Sequence, residues 1–175
     1  MTCISLATGE NWEEGSLMER AKRMLELTNE ESESVSRLIV NPHRANVEQS
    51  FYEDFSLRGI RVDRVEPGLV VCTYMVPPRL ADRTGYLSSG AIANLVDEVG
   101  CSVIFKEGFT NAVSVNMSIS YASNAKVYDE VEITARLLGQ KGNIFTAAVV
   151  LKNKGTGEIV AEGRHTLFSK LMSKI

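Results

Sequence analysis

The sequence predicts an α+β domain, a curved antiparallel sheet wrapped around one central helix. Three observations carry that prediction. Residues 85 to 105, GYLSSGAIANLVDEVGCSVIF, place Ile92, Leu95, Val96, Val99 and Val103 at i, i+3, i+4, i+7 and i+11, the spacing of one helical face. Two stretches before this helix and four after it alternate apolar and polar residues with period two, as strands do. The connections GQKGN (139 to 143) and NKGTGE (153 to 158) are short and rich in turn residues, as antiparallel hairpins require.

Taken in order, residues 1–50 read as an N-terminal helical arm and 51–175 as the main domain. In the arm, Ser16-Leu17-Met18-Glu19 has the form of a capping box, with Leu17, Ala21, Met24 and Leu25 on the face that follows. NEESESVS (29 to 36) is polar and acidic, a turn or the start of a second short helix, and Pro42 closes the segment. Ile60, Val62 and Val65 begin the first strand, Glu66-Pro67-Gly68 turns it, and Leu69 to Val76 return. After the helix, Val113, Val115, Met117, Ile119 and Tyr121 alternate with Ser114, Asn116, Ser118 and Ser120. Val131, Ile133, Ala135 and Leu137 alternate next, then Phe145, Ala147, Val149 and Leu151, and Ile159 to Phe168 form the last strand. Gly90, Ala91, Ala93, Gly100 and Cys101 leave little bulk on the other faces of the helix, so it reads as enclosed on most sides.

Composition narrows the functional classes. At 175 residues, with 44% hydrophobic and 23% charged, the chain is long enough for one domain with a full core. A net charge of −3 argues against a nucleic-acid surface, though not against a small anion held by a local cationic cluster. Cys3, Cys72 and Cys101 are odd in number and unpaired in spacing, which reads as reduced thiols. His43 and His165 lie far apart, with no CxxC or HExxH, so no metal site is expected. No apolar run approaches the ~20 residues that span a bilayer, so no membrane insertion is expected. Ser173-Lys174-Ile175 stands one side chain away from the peroxisomal tripeptide S-K-L. The expected location is therefore the peroxisome, or else the cytosol.

Asp97 stands out because a carboxylate inside an apolar helix costs several kcal/mol unless something replaces its lost hydration. A structural acid, bonded to backbone or to Asn94, is one reading. The other is catalytic. The helix opens with Leu87-Ser88-Ser89-Gly90, small residues whose N–H groups have no partner within the helix and suit a carbonyl oxygen or developing oxyanion. An acid on such a helix is a candidate base or nucleophile. Ser89 and Asp97 are eight residues apart, about 12 Å along a helix axis. One helix cannot easily bring both to one carbon, but two antiparallel helices related by a two-fold axis can.

The run Gly85 to Phe105, with VSVNMSISYASNAK (113 to 126) and GEIVAEGRHTLF (157 to 168), resembles the hotdog-fold acyl-CoA thioesterases, in particular the acyl-coenzyme A thioesterase 13 (thioesterase superfamily member 2) group. The resemblance covers roughly residues 55 to 170 and leaves the arm unmatched. It implies a homodimer or dimer of dimers that hydrolyses acyl-CoA without metal or organic cofactor. It further implies that Asp97 is the catalytic carboxylate, that the helix-start amide falls on Ser89 beside Gly90, and that Ser114 is the active-site serine. For CoA it points to Asn116, to Tyr121, Ala122, Ser123, Asn124, Ala125 and Lys126, to the turn Gly139, Gln140, Lys141, Gly142, Asn143 and Ile144, and to His165. Lys126, Lys141 and Arg164 are the cations expected near the CoA phosphates. This chain departs from the family in having Ser88-Ser89-Gly90 for His-Gly-Gly, and Asp82 where the family has a side-chain amide. An ionised Asp82 cannot donate a hydrogen bond.

Other readings follow from the same residues. A hotdog protein that binds acyl-CoA with little turnover would fit the changes at Ser88, Ser89 and Asp82. A Ser-His-Asp hydrolase using Ser88 or Ser89 with His165 lacks a GxSxG elbow. A hotdog dehydratase would need a histidine beside the acid, and the sequence places none near it.

Overall fold

The computed structural model describes residues 18, 21–22, 25–42, 44, 48–104 and 112–169. Ser16, Leu17 and Glu19 of the expected capping box, Met24, Cys3, His43, Phe105 and the terminal Ser173-Lys174-Ile175 lie outside these. The chain divides into two compact units, 1–51 and 52–175. In the first, NEESESVS forms helix α1 (Asn29–Ser36). Its exposed surface carries the i,i+4 pair Glu33–Arg37, and Leu38, Ile39 and Val40 follow it exposed.

The second unit is one six-stranded antiparallel sheet with a helix across one face. Its strands are β1 (Ile60–Glu66), β2 (Leu69–Met75), β3 (Ala112–Tyr121), β4 (Glu130–Lys141), β5 (Ile144–Asn153) and β6 (Ile159–Ser169), in spatial order β1-β2-β4-β5-β6-β3. All six match the expected alternating stretches. The β4–β5 connection is tighter than GQKGN suggests. Lys141 pairs with Ile144, leaving only Gly142-Asn143 in the turn, with Gly142 at φ +60° as a two-residue hairpin favours at its first central position.

A further short helix, α2 (Phe51–Leu57), precedes β1. Seven residues are too few to stand alone, and tertiary contacts hold it. Arg79 Nε donates to Phe55 O at 2.6 Å, its guanidinium also reaches Arg58 O, and Tyr74 Oη donates to Ser56 O at 2.7 Å. A cation at a helix C-terminus also meets the negative end of the helix dipole.

The long helix α3 (Ser89–Ser102) is shorter than the apolar run that announces it. Ser88 caps it, its Oγ accepting from Ala91 N at 3.2 Å, so Gly85–Leu87 lie in the loop before it. Ile92, Leu95, Val96 and Val99 are buried against Ile133, Ala135, Phe145, Ala147, Val149 and Leu151. The approach is close because two glycines face each other's elements. A Cβ on Gly163 of β6 would lie 2.6 Å from Val96 Cγ1, and one on Gly100 of α3 would lie 3.0 Å from His165 Nδ1. The expectation of a helix enclosed on most sides needs correction for a single chain. Ser89 and Gly90 are exposed and Ala93, Asn94, Asp97, Glu98 and Cys101 only half-buried, because the sheet covers one side of the helix and leaves this stripe uncovered.

Candidate functional site

A bulge creates the site. In β3 the pairing with β6 shifts between Ser114 and Asn116: Ser114 opposes Leu167, and Met117 opposes His165. Strict alternation would put Ser114 on the face opposite Met117, Ile119 and Tyr121. One extra residue, Val115, reverses that parity. Ser114 therefore points to the helix side, where Leu167 and His165 are buried.

There it meets Asp97 and His165. Ser114 Oγ donates to Asp97 Oδ1 at 2.9 Å. His165 Nε2 lies 2.9 Å from Ser114 Oγ and 3.1 Å from Asp97 Oδ1. The histidine side chain is 0% exposed and the aspartate 42% exposed, so the cluster is floored by protein and open at the carboxylate. His165 Nδ1 is buried and has no hydrogen-bond partner among the described residues. Burial pushes the imidazole below its usual range; the neighbouring Asp97 carboxylate pulls the other way and does not prevail. The ring that fits is therefore neutral with its proton on Nε2. A second proton would leave a buried Nδ1–H unsatisfied. Serine and histidine then both direct hydrogens at Asp97 Oδ1, which fixes the carboxylate and leaves Oδ2 for chemistry.

The geometry excludes a Ser-His-Asp relay through these groups. In such a relay the base accepts from serine on one ring nitrogen and donates to the acid from the other. Here both partners sit on Nε2. Nor does His165 bond to Ser88 or Ser89. The sequence shows no histidine near Asp97, but the fold brings in His165, which the resemblance assigns to CoA and which is here the buried floor of the Asp97 cluster. Its parity with Gly163 and Leu167 along β6 is the sequence signal that places it inside.

The helix start is built separately. Ser88 Oγ takes the Ala91 amide, and Ser88 O takes that of Ile92. Ser89 and Gly90 are exposed, and among the described residues no acceptor meets their N–H groups. Tyr121 Oη donates to Ser89 O at 3.3 Å. Ser114 and Tyr121 thus contact Asp97 and the helix start from opposite ends of one strand. Asp82 is a turn-builder, its Oδ1 accepting from Thr84 N, Thr84 Oγ1 and Tyr86 N. Burial opposes its charge, but these hydrogen bonds outweigh burial and hold the carboxyl below its ordinary range. Asp82 therefore supplies no donor.

The remaining expected contacts fall into separate places. Tyr121 to Lys126 runs beside the helix start, with Leu87 N donating to Ala125 O. Ala122, Asn124 and Lys126 are exposed and Ser123 is half-buried, whereas Ala125 is fully buried and offers no side chain to a ligand. Gly139 to Ile144 lies at the other end of the sheet, where Ile144 pairs with Phe168 and Phe168 with Val113. Seven β5 residues, about 23 Å, separate the two ends. Asn116 and Arg164 are exposed on the sheet face away from α3. Glu98, not singled out by the sequence, and Asn94, considered there only as a hydrogen-bond partner of Asp97, share the uncovered stripe with Asp97. Burial, then Asp97 and Glu53, push the Glu98 carboxyl up, and Asn94 Nδ2 is buried without a partner among the described residues. An open groove of 430 Å³ between the β1–β2 turn and the end of α3, lined by Val65, Pro67, Val70 and Val103, includes none of Asp97, Ser114 or His165. Among the described residues no group of three His, Cys, Asp or Glu could hold a metal ion, and no helix is long and apolar enough to cross a membrane.

Comparison with known proteins gives this geometry relatives. The family model of the thioesterase superfamily matches residues 84–160. The chain is 35% identical over 114 residues to acyl-coenzyme A thioesterase 13 of Mus musculus, which covers 65% of this chain and 81% of that protein. With the Homo sapiens protein of the same name it shares 38% identity over 101 residues, 57% of this chain and 72% of that one. The crystal structure of zebrafish thioesterase superfamily member 2 superposes with a TM-score of 0.63 at 34% identity, covering 70% of this chain and 88% of that one.

Proposed function

Because this chain belongs to the hotdog-fold thioesterase superfamily, alongside the acyl-coenzyme A thioesterase 13 proteins, we propose that it hydrolyses acyl-CoA thioesters to the free acid and CoA. The observation that carries this reading is the Asp97 carboxylate held at Oδ1 by Ser114 and beside His165, with its outer side open. Asp97 takes a proton from water, whose oxygen adds to the thioester carbon; direct attack by the carboxylate is the variant of the same step. The resulting oxyanion lies against the Ser89 and Gly90 amides. Losing one such donor typically costs about 2.7 to 4 kcal/mol of transition-state stabilisation. The intermediate collapses by breaking the C–S bond. CoA leaves as a thiolate, a good leaving group, so no strong general acid is needed.

The working unit in this reading is a homodimer, itself able to pair into a dimer of dimers. Within one helix, Ser89 and Asp97 stand about 12 Å apart, while a reacting carbonyl needs both within about 3 Å. A two-fold axis beside α3 sets each helix start against the partner's Asp97. It also brings the Tyr121–Lys126 stretch of one copy toward the 139–144 hairpin of the other. The β3 edge, unpaired in one chain, is where two such sheets would join.

The test is thiol release across a panel of acyl-CoAs with the parent and Asp97→Asn. The variant keeps its fold and its CoA affinity and loses about 10²–10⁴-fold in turnover. A variant as fast as the parent makes Asp97 structural and removes the mechanism. Refolding Asp97→Asn together with Ser89→Pro tests the shared site, because a mixed dimer has one site with both groups intact. A binding protein without turnover is the second reading, favoured by an Asp82 whose carboxylate serves its own turn. Tight CoA-ester binding with no thiol release would select it.

A further inference from the structure

Tyr128 adopts φ 73°, and it is the one non-glycine residue with positive φ among those described. This left-handed conformation is costly for a residue with a Cβ and free for glycine. Burial does not offset the cost, since the side chain is 69% exposed. The loop around it is pinned from several sides. Tyr128 N donates to Val76 O at 2.9 Å, Val127 N to Gly85 O at 3.1 Å and Asp129 N to Lys126 O at 3.0 Å. Asp129 Oδ2 accepts from Lys126 N and Asn153 Nδ2, both at 2.9 Å. A strained backbone therefore displays a large aromatic ring to solvent from a pinned point of the chain. Strain that packing does not explain points to a function.

The surroundings indicate which ligand. Lys126 lies two residues away and forms a bridge with Tyr86, which ties this loop to the 82–86 turn carrying Arg83. Lys126 and Arg83 are both exposed, and neither has an ion pair among the described residues. The carboxylates nearby are already engaged, Asp82 by Thr84 and Tyr86 and Asp129 as above. An exposed aromatic face beside two exposed cations that make no ion pair suits an aromatic base bearing phosphates. It does not suit an acyl chain, which needs an enclosed apolar site. We propose that Tyr128 is a stacking platform for the adenine of coenzyme A, with Lys126 and Arg83 beside it for the nucleotide's phosphates. The proposal rests on the acyl-CoA reading above and assigns the end of that substrate farthest from the reacting carbon.

Calorimetric titration of the parent, Tyr128→Gly and Tyr128→Phe with CoA, adenosine 3′,5′-bisphosphate and pantetheine tests it. Glycine takes the same backbone angle freely, so that variant stays folded, and phenylalanine keeps the ring. Tyr128→Gly should weaken CoA and the bisphosphate by about tenfold or more, in line with the usual worth of base–aromatic stacking, and leave pantetheine unchanged. Tyr128→Phe should bind all three like the parent. A glycine variant that binds CoA as tightly as the parent, or loses the same factor for pantetheine, overturns the platform and leaves the thioesterase reading standing. A parent that binds neither CoA nor the bisphosphate overturns both.

Discussion

The two outer strands of the sheet solve the problem of an unpaired edge in opposite ways. β1, IRVDRVE, carries four charges in seven residues, bends at a shift between Val62 and Arg64, and engages its charges locally. Arg61 pairs with Asp63 at 2.8 Å, and Thr73 donates to Asp63 at 2.5 Å. Such an edge resists a further strand. β3, AVSVNMSISY, is uncharged over ten residues, with Val113, Val115 and Met117 exposed. It also bends, but its bulge turns Ser114 inward toward Asp97. The contrast teaches that edge chemistry and site chemistry are linked here. The uncharged edge is the one that builds the Asp97 cluster and, in the dimer proposed above, the one that meets another copy.

The largest effect should come from making β3 resemble β1. Ser118→Lys with Ser120→Lys places like charges along the edge, and sedimentation should then show monomers. Thiol release should fall by about 10²-fold or more, since the oxyanion donors are lost with the partner. A monomeric variant of full activity would break the link between edge and site.

Removing the bulge is the sharper version. Deleting Val115 takes out the extra residue while leaving Ser114 opposite Leu167 and Asn116 opposite Thr166, so Ser114 stays on the helix side. The deletion should therefore keep turnover near that of the parent, whereas Ser114→Ala should lose about tenfold or more for a hydrogen bond to a charged group. A deletion variant that folds but loses as much turnover as Ser114→Ala would mean that the bulge itself, and not the pairing register alone, aims the serine.

A smaller effect concerns pH. Because the folded protein holds His165 below its usual value of about 6.5, the unfolded chain binds more protons beneath that pH. The contribution of neutral His165 to stability is thus complete above pH ~6.5 and declines as pH falls through its folded value. Thermal midpoints measured down this range should drop more steeply for the parent than for His165→Gln. Equal slopes would mean that His165 is charged in the folded state. The smallest effect belongs to β1. Arg64→Ser removes an exposed pair with Glu66 and should change stability by no more than about 0.5 kcal/mol, with activity intact.

Much of this molecule is legible in the chain alone. The alternation of Val131, Ile133 and Ala135, or of Phe145, Ala147 and Val149, identifies strands because one face of each is buried. The apolar spacing of Ile92 to Val99 identifies the helix for the same reason. Asp97 is visible as an acid out of place, and the small residues Ser88-Ser89-Gly90 before it mark the helix start. These signals are local and periodic. Others are not. Helix α2 has too few residues for a period and exists because Arg79 and Tyr74 take up its carbonyls. A bulge leaves no mark in a run that alternates perfectly, so the face of Ser114 was decided by how β3 pairs with β6. His165 reads as far from Asp97 until the sheet buries it beneath that carboxylate, and nothing in the sequence singles out Tyr128 until its backbone angle is known. Sequence determines what depends on spacing along one strand or helix. Pairing register, burial and backbone handedness depend on which distant segments meet, and only the assembled sheet sets them.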